Sequence, residues 1–471
     1  MTVTTQGSKM TVTTPVTSLH ADVAATLDRV EQALDKDRLP VGIFNDEAVF
    51  KAEMDQIFGT CWVFLAHESE IPKAGDFVQR RIGVDPVIVT RDGNGGVNVL
   101  SNYCRHRGTQ VCQTDAGNSR FFKCPYHGWT YSNNGDLVGT PNKHGAYGEH
   151  LDPKEWGLYR APRVDSRFGM IFASLAAEGP TLDEYLGGAS WVLQMMLGLH
   201  PDGMRVAGPP ERYKLRSNWK TGAENFAGDA YHVGTLHYST TEIGIAPDLR
   251  TNVEVSRLYD FGNGHSTVNF PFVELAGPFA AFWGYDPQTA ATFDLSGLDE
   301  TQRHIVENEP PIVGTIFPNL SFLRSAVPVR IGEMEMAVVT TFRQWQPVGP
   351  GEMELWNWQF VWTFQDEQQA LDAYVAGQFT FGSAGTFEAD DTVAWEGAPK
   401  AAKSPWMRRQ GMEFNFEQAH TSPVNREPDP TYKGPGIKRN TGFGEHNQLN
   451  FYRHWVKTLR HGAQATSVQE G

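Results

Sequence analysis

Residues 102–131 read NYCRHRGTQVCQTDAGNSRFFKCPYHGWTY, and this stretch decides how the first half of the chain is interpreted. Cys104 and His106 form a C-x-H pair, and Cys124 and His127 form a C-x-x-H pair after a spacer of 17 residues. Thiolate and imidazole side chains at this spacing suit a metal centre. The stretch therefore poses a choice among a zinc ion, an iron–sulfur cluster and a disulfide.

The mixed composition of the two pairs favours the iron–sulfur cluster. Each loop offers one cysteine and one histidine, and the flanking RHRG and PYHGWTY segments are typical of loops on a β scaffold. Two cysteines on one iron and two histidines on the other are the ligands of a Rieske [2Fe–2S] centre. We therefore predict that Cys104, His106, Cys124 and His127 hold such a cluster, with zinc as the main alternative.

The other two cysteines are interpreted as buried thiols without a ligand role. Cys112 lies between the two loops and has no histidine at matching spacing, and Cys61 stands beside Trp62. Cysteine is among the most frequently buried residue types. Four cysteines in 471 residues also do not make a disulfide scaffold.

Composition excludes several classes of protein. A net charge of −15 argues against a nucleic-acid-binding surface, which needs clustered Lys and Arg. No apolar run approaches the roughly 20 residues that a membrane-spanning helix needs. The Thr/Ser-rich start MTVTTQGSKMTVTTPVTS lacks the apolar core of a secretory signal and is expected to form a flexible arm. We expect a cytoplasmic protein that binds neither nucleic acid nor membrane.

The hydrophobic pattern changes character twice along the chain. Helical spacing of Val23, Leu27, Val30 and Leu34, and a second helix that Asn45 could cap, give way after Trp62 to short strands joined by Gly and Asp turns. Beyond residue 180 the content is mixed, with long Trp- and Phe-rich segments that suit paired strands. We predict an arm and helix over 1–39, a Rieske domain with a leading helix over 40–176, and a second domain over 177–471.

A second possible metal site lies in the predicted second domain. His232 and His237 follow the acidic Asp229 in NWKTGAENFAGDAYHVGTLH. A mononuclear non-haem Fe(II) that activates O2 commonly uses two histidines and one carboxylate. Because residues five apart diverge on a regular helix, a local break near Gly234 would help both histidines reach one ion.

The carboxylate for this second site must come from elsewhere in the chain. Asp390 and Asp391 are candidates, since they follow the apolar, Gly-containing segment FTFGSAGTFEA. The alternative is that the two acids cap a helix and occupy its first turn. Residue patterns alone leave both interpretations open.

Taken together, these segments resemble the large (alpha) subunit of the Rieske non-haem iron ring-hydroxylating dioxygenases of the naphthalene, biphenyl and phthalate type. CRHRG, CPYHGWTY, NWKTGAENFAGDAYHVGTLH, IFPNLSFL and FTFGSAGTFEADD occur in the family's order, and the likeness extends from about Pro40 almost to the end. The resemblance implies an α+β fold, with an all-β Rieske domain and a catalytic domain whose large antiparallel sheet is flanked by helices.

The resemblance also implies roles for individual residues. His232, His237 and Asp391 would bind the catalytic iron, with Asn225 close by. Asp229 would bridge a cluster histidine of one subunit to an iron-ligand histidine of its neighbour. The family's substrate positions correspond to Phe226, Val233, Leu323, Phe381 and Phe387.

The implied reaction is cis-dihydroxylation of a small aromatic substrate by O2. Electrons would come from NADH through a reductase and usually a ferredoxin, and the assembly would be α3β3 with a small beta subunit. Arg324, directly after a substrate position, disturbs the expectation of a hydrocarbon substrate. It could clamp a ring carboxylate such as that of phthalate, or it could point away into a salt bridge.

Three other classes of protein compete with this interpretation. A monooxygenase or demethylase of the same superfamily would keep both metal sites, but we expect such relatives to be shorter, to lack a beta partner and to match these segments less well. An electron-transfer Rieske protein would not need His232, His237 and Asp391. A zinc protein would be colourless, whereas a Rieske protein is red-brown.

Overall fold

The computed structural model describes residues 21–246, 250–271, 273–274, 277–330, 335–421 and 427–462. The arm expected before residue 21 lies outside these residues. Within them, no helix combines the length and the apolar character that crossing a bilayer requires.

Two helices open the described chain, α1 (Ala21–Leu34) and α2 (Glu47–Glu53). The apolar positions that predict α1 are all buried, which confirms the expected helical face. The cap of α2 was assigned wrongly from the sequence: Asp46, not Asn45, accepts hydrogen bonds from the backbone N–H groups of Ala48 and Val49. A carboxylate also suits the positive end of the helix dipole.

Short strands form the region around the Cys/His loops. The strands are β1 (Arg38–Pro40), β2 (Val63–His67), β3 (Asp76–Ile82), β4 (Asp85–Arg91), β5 (Val97–Ser101), β6 (Ala116–Asn118), β7 (Phe121–Lys123), β8 (Thr130–Ser132), β9 (Leu137–Gly139), β10 (Arg163–Arg167) and β11 (Met170–Ser174). They form antiparallel sheets in the orders β5-β4-β3-β6, β7-β8-β9 and β10-β11-β2. The helical segments here are α3 (Lys143–Tyr147) and short turns at Val41–Phe44, Met54–Phe58, Glu68–Glu70 and Pro153–Glu155.

A nine-stranded antiparallel sheet dominates the rest of the chain. Its strands are β12 (Met204–Val206), β13 (Glu211–Leu215), β14 (Arg257–Asp260), β15 (Ser266–Asn269), β16 (Pro311–Ile316), β17 (Leu320–Pro328), β18 (Met336–Gly349), β19 (Glu352–Trp362) and β21 (Ile437–Arg439). The order is β12-β19-β18-β17-β16-β15-β14-β21, with β13 also on β19. A separate pair joins β1 to β20 (Glu413–Asn415). The Trp- and Phe-rich segments expected to pair are β18 and β19.

Helices flank the large sheet, as expected for an α+β catalytic domain. They are α4 (Leu182–Leu186), α5 (Gly188–Leu197), α6 (Trp219–Gly228), α7 (Val233–Leu236), α8 (Tyr238–Glu242), α9 (Arg250–Val255), α10 (Pro287–Ala290), α11 (Glu300–Asn308), α12 (Glu367–Phe381), α13 (Glu388–Trp395), α14 (Gly397–Lys403), α15 (Pro405–Gln410), α16 (Gln418–Thr421) and α17 (His446–His461), with a 3-10 segment at Pro278–Gly284. Helix α6 packs on β15, β16 and β18, while α12 packs on β18 and β19.

Of four apolar clusters among the described residues, the two largest organise the fold. The larger core runs from α1 through the large sheet to α17, and it buries the tryptophans of β18 and β19. Those tryptophans are thus core residues. A smaller core surrounds Cys104 and Cys124 and includes Trp129 and Tyr131. The Cys/His loops therefore rest on a rigid apolar base of their own.

Two candidate metal centres and an apolar cavity

The Cys104 and Cys124 loops have the same backbone design. In each, the carbonyl of the cysteine accepts the N–H of the glycine four residues on, Gly108 at 2.8 Å and Gly128 at 3.0 Å. Both glycines have positive φ, +76° and +71°, which disfavours any residue with a side chain. The two loops are therefore equivalent turns that each present one cysteine and one histidine.

The side chains of the two loops converge. The rings of His106 and His127 lie with centroids 4.5 Å apart, and both cysteine side chains are buried. The hydroxyl of Tyr131 lies 3.2 Å from the Sγ atom of Cys104. His106 is stacked on Trp129, and its buried Nδ1 atom has no hydrogen-bond partner. The structure thus brings together all four residues predicted to hold the cluster.

Burial and the neighbouring Cys124 thiol raise the pKa of Cys104. Since the thiolate is the ligand form, a cationic cluster would compensate for this cost. Cys61 and Cys112 are buried as free thiols, Cys61 in the larger core and Cys112 in the smaller core that also contains Cys104 and Cys124. Burial raises the pKa of Cys61 to about 12, which suits an inert core thiol.

Three donor atoms converge at the second site. The Nε2 atoms of His232 and His237 lie 3.2 Å apart, and the Oδ1 atom of Asp391 lies 3.5 Å and 3.3 Å from them. Ligands about 2.1 Å from one ion and at right angles to each other are separated by about 3.0 Å. The three residues therefore fit one face of a single metal ion and leave the opposite face open.

Chain breaks, rather than a continuous helix, let both histidines reach this point. Helix α6 ends at Gly228, and Asp229 leaves helical geometry with ψ of 75°. The short α7 then begins after His232 and ends before His237. The break expected near Gly234 is wrong, because Gly234 lies inside α7, where its small size accommodates the close backbone of Arg250.

The electrostatics of the site favour a cation. The buried Oδ1 atom of Asp391 and Nδ1 atom of His237 have no hydrogen-bond partner. Burial lowers the pKa of His232, but the carboxylates of Asp229 and Asp391 outweigh this effect and raise it to about 9. The negative charge that attracts a proton here would equally attract Fe(II), which would displace that proton.

Asp229 and Asn225 fix the orientation of His232. Asp229 Oδ2 lies 3.3 Å from His232 Nδ1, and its Oδ1 accepts the backbone N–H of His232 at 3.1 Å. The amide nitrogen of Asn225 lies 3.4 Å from both Asp229 Oδ2 and His232 Nδ1. Holding Nδ1 in this way directs Nε2 toward the other donors.

The two acids of the DD pair separate in the structure. Asp391 faces the histidines, whereas Asp390 Oδ2 accepts a hydrogen bond from Ser239 and lies 3.7 Å from His237 Nδ1. Both stand in the first turn of α13, but no side chain caps that helix. The cap in the alternative interpretation is therefore wrong, whereas its first-turn position for both acids is confirmed.

A cavity of about 220 Å³ opens beside the three donor atoms. The apolar residues expected there, Phe226, Val233, Leu323, Phe381 and Phe387, all line it. The sequence interpretation did not include further lining residues, which lie after α8 and on or beside strands of the large sheet. They are Ile245, Ala246, Val268, Phe270, Ile312, Val313, Ser325, Ala326, Val327, Met336 and Arg343. No motif marks these residues, because the strand residues come together through strand pairing and Ile245 and Ala246 through the path of the chain after α8.

Arg324 does not line the cavity, so its assignment to the substrate pocket is wrong. It is fully buried on the other side of β17, where its guanidinium donates to the Thr340 hydroxyl at 2.8 Å and to the carbonyl of Met196 at 2.6 Å. The guanidinium also lies over the rings of Trp283 and Trp362. It holds the carboxyl end of α5, where a positive charge complements the helix dipole.

We expect Arg324→Met to leave substrate preference unchanged while lowering the free energy of unfolding by about 2 kcal/mol, because it leaves Thr340 and the Met196 carbonyl without their donor. Denaturant unfolding and the KM ratio for a neutral and a carboxylated aromatic substrate measure the two effects. A change in that ratio with unchanged stability would restore the clamp interpretation.

Comparison with known proteins agrees with the two-centre arrangement. The family model described as Rieske [2Fe-2S] domain matches residues 61–151, and that described as ring hydroxylating alpha subunit (catalytic domain) matches residues 182–460. The chain is 49% identical to the N,N-dimethyl phenylurea N-demethylase subunit alpha of Sphingobium sp. (strain YBL2), covering 92% of this chain and 94% of the relative.

Dioxygenases are similar over nearly as much of the chain. Identity to the naphthalene 1,2-dioxygenase large oxygenase component of Pseudomonas aeruginosa is 33%, over 87% of this chain and 89% of the relative. The crystal structure of naphthalene 1,2-dioxygenase from Rhodococcus sp. bound to indole superposes with a TM-score of 0.86 at 35% identity, covering 94% of this chain and 99% of that one.

Proposed function

The chain belongs to the Rieske-type ring-hydroxylating oxygenase alpha subunits, and from that premise we propose that it catalyses O2-dependent N-demethylation of a neutral N-methylated aryl urea. The observation that carries this choice is the 49% identity to the phenylurea N-demethylase subunit along almost all of both chains, against 33% for a naphthalene dioxygenase. The expectation that demethylases would be shorter and match less well is wrong for this relative, which the chain matches along 94% of its length.

Membership of the family implies a Rieske cluster and a mononuclear iron as cofactors. Cys104, His106, Cys124 and His127 would hold the cluster on their two equivalent loops. His232, His237 and Asp391 would hold the iron, since their three donor atoms converge and Asp391 Oδ1 lacks another partner. When bound, the iron supplies O2 activation and the cluster supplies electrons.

The residues of the chain orient the reactants and exclude water. The carboxylate of Asp229 keeps His232 in the tautomer and ring orientation that a metal ligand needs. The rings of Phe226, Phe381 and Phe387 form apolar walls beside the three donor atoms, where a flat aryl group would be held next to the bound iron. An apolar enclosure also keeps bulk water from the reacting groups.

The charge of the cavity lining favours a neutral substrate. Arg343 is the cationic side chain in the lining, and its guanidinium is already paired with Glu388 at 2.5 Å. A buried substrate carboxylate would therefore find no unpaired cation among the described lining residues, which is costly. This supports an aryl urea or a hydrocarbon over phthalate.

Cis-dihydroxylation of an aromatic ring is the second candidate. The superposition on a naphthalene 1,2-dioxygenase that holds indole favours it. The same donor set and an apolar cavity would serve both reactions. The outcome would then depend on which carbon of the substrate the cavity holds beside the three donor atoms.

The partners proposed for the chain follow from its family. We infer an α3β3 assembly with a small beta subunit, and electron supply from NADH through a reductase and a ferredoxin. The relatives' names, with "subunit alpha" and "large oxygenase component", support the presence of further subunits. In that trimer His127 of one subunit would approach Asp229 of the next, and the exposed ring of Tyr126 beside His127 suits such an interface.

Turnover of two substrates by the reconstituted system tests the reaction. We expect an N,N-dimethylphenylurea to yield the monomethyl urea and formaldehyde, with a kcat/KM at least ~10-fold above that for naphthalene. The ratio of the two kcat/KM values reports how much better the site binds one transition state than the other. Chromatography of both products gives the measurement. A cis-dihydrodiol from naphthalene as the faster product would favour the second candidate instead.

A further inference from the structure

Arg343 and Glu388 form a fully buried ion pair next to the candidate iron site. The Nη1 atom of Arg343 lies 2.5 Å from Oε2 of Glu388, and both side chains are 0% exposed. Arg343 belongs to β18, an interior strand of the large sheet, and Glu388 is the first residue of α13. Asp391 follows one turn later on the same helix, so the pair anchors the element that carries it.

The same arginine also holds the preceding helix and two walls of the cavity. Its Nη2 atom donates to the carbonyl of Phe381, at the end of α12, at 3.3 Å. Its guanidinium lies 5.0 Å from the ring centroid of Phe226 and 5.5 Å from that of Phe381. One side chain thus contacts the end of α12, the start of α13 and the wall opposite them.

Glu388 has a second fixed partner. The hydroxyl of Tyr213, on β13, donates to its Oε1 atom at 2.5 Å, so both carboxylate oxygens are engaged. The connection between α12 and α13 contains Gly382 and Gly385, which do not restrict the backbone by themselves. Backbone hydrogen bonds from Thr386 N–H to the Phe379 carbonyl and from Phe387 N–H to the Thr380 carbonyl, both at 3.0 Å, also hold this connection. Glu388 adds the side-chain contacts that attach the start of α13 to β18 and β13.

A buried ion pair adds little net stability compared with apolar residues of similar volume. Its effect lies instead in geometry, because each charge requires the other at a defined position. The chain contains a second fully buried pair, Lys220 with Glu53 at 2.6 Å, whose neighbours are Trp219 and Trp455. Glu53 contacts none of the residues of the candidate iron site, so it provides a matched control.

We propose that Arg343 and Glu388 are positioning residues, which hold Asp391 against the two histidines and the rings of Phe226 and Phe381 at the substrate cavity. The proposal rests on the proposed iron role of Asp391. Breaking the pair would let α13 turn or shift, which would separate the carboxylate from the histidine donors. The metal site, rather than the fold, would be the first property affected.

Fe(II) titration of metal-depleted oxygenase tests the proposal without turnover. We expect Glu388→Gln and Arg343→Met to weaken Fe(II) binding about 10- to 100-fold, as for residues that orient metal ligands. Glu53→Gln should lower the thermal unfolding midpoint about as much as Glu388→Gln and Arg343→Met do, but it should leave the Fe(II) affinity at the wild-type value. Arg343→Lys, which keeps the charge, should restore part of the affinity lost in Arg343→Met.

Two controls keep the outcome interpretable. The visible spectrum of the cluster should be unchanged in every variant, which reports an intact Rieske domain, and Arg343→Lys carries the test if Glu388→Gln does not fold. Wild-type Fe(II) affinity in Arg343→Lys, Arg343→Met and Glu388→Gln would overturn the proposal. Failure of the proposed iron site itself would be recognised separately, since wild type and Asp391→Ala would then bind Fe(II) equally.

Discussion

Asp391→Ala is expected to remove the mononuclear iron and to lower product formation at least ~10³-fold, while the red-brown colour of the cluster persists. The carboxylate supplies one of three converging donors, and two histidines alone leave the ion weakly held. Enzymes supply rate enhancements of ~10⁶-fold or more, so losing the reactive metal removes most of that factor. Iron content, the visible spectrum and product yield measure the three effects.

Asp390→Ala is the matched control for this prediction. Asp390 is the preceding residue, of the same type, and it points to Ser239 rather than to both histidines. We expect it to keep its iron and to lose less than ~10-fold in activity. Chelator treatment of the wild type should reproduce the Asp391→Ala phenotype, and added Fe(II) should reverse it. Equal iron loss in both variants would mean that the wrong acid has been assigned.

Asp229→Asn is expected to lower turnover by about 10²-fold with both metals still bound. The substitution keeps the size of the side chain but removes the charge that lies 3.3 Å from His232 Nδ1. The histidine then loses the partner that fixes its orientation, and in the proposed trimer the route from the neighbour's cluster loses its charged link. Metal analysis and steady-state kinetics separate this effect from iron loss.

Asp229→Glu helps to decide why Asp229→Asn loses turnover. It retains the charge at a shifted position, so we expect it to recover part of the activity that Asp229→Asn loses. Wild-type turnover in Asp229→Asn would show that the carboxylate serves packing alone, and iron loss in that variant would make Asp229 part of the metal site.

The residues of both candidate metal sites stand in short segments that can be recognised in the sequence. The C-x-H and C-x-x-H pairs mark the two loops directly, whereas the choice of Asp391 from the DD pair came from the resemblance to the family. The manner in which His232 and His237 meet could not be predicted, since it depends on where α6 ends. Helix ends depend on tertiary contacts that no local pattern contains.

The error on Arg324 could have been avoided from the sequence. Neighbouring residues of a strand face opposite sides of the sheet, so placing Leu323 in the cavity already turns Arg324 away from it. By contrast, Arg343 lies 45 residues from Glu388 and belongs to a different element. Nothing in either segment indicates their pairing, because it arises only when α13 packs on the sheet.

The choice between demethylation and dihydroxylation illustrates a further limit of local motifs. We expect both reactions to use the same donor set, so that the orientation of the substrate in the cavity decides between them. The residues that shape the cavity come from α6, α7, α12 and several strands. Their combined shape is a property of the packed fold.

Re-oxidation of the reduced cluster by O2 in a stopped-flow experiment tests the central claim most directly, namely that the Rieske centre delivers electrons to an iron held by His232, His237 and Asp391. Reduced oxygenase with bound substrate should re-oxidise rapidly in the wild type and at least ~10²-fold more slowly in Asp391→Ala, with product formed only in the wild type. Equal re-oxidation rates in the two proteins would contradict the account.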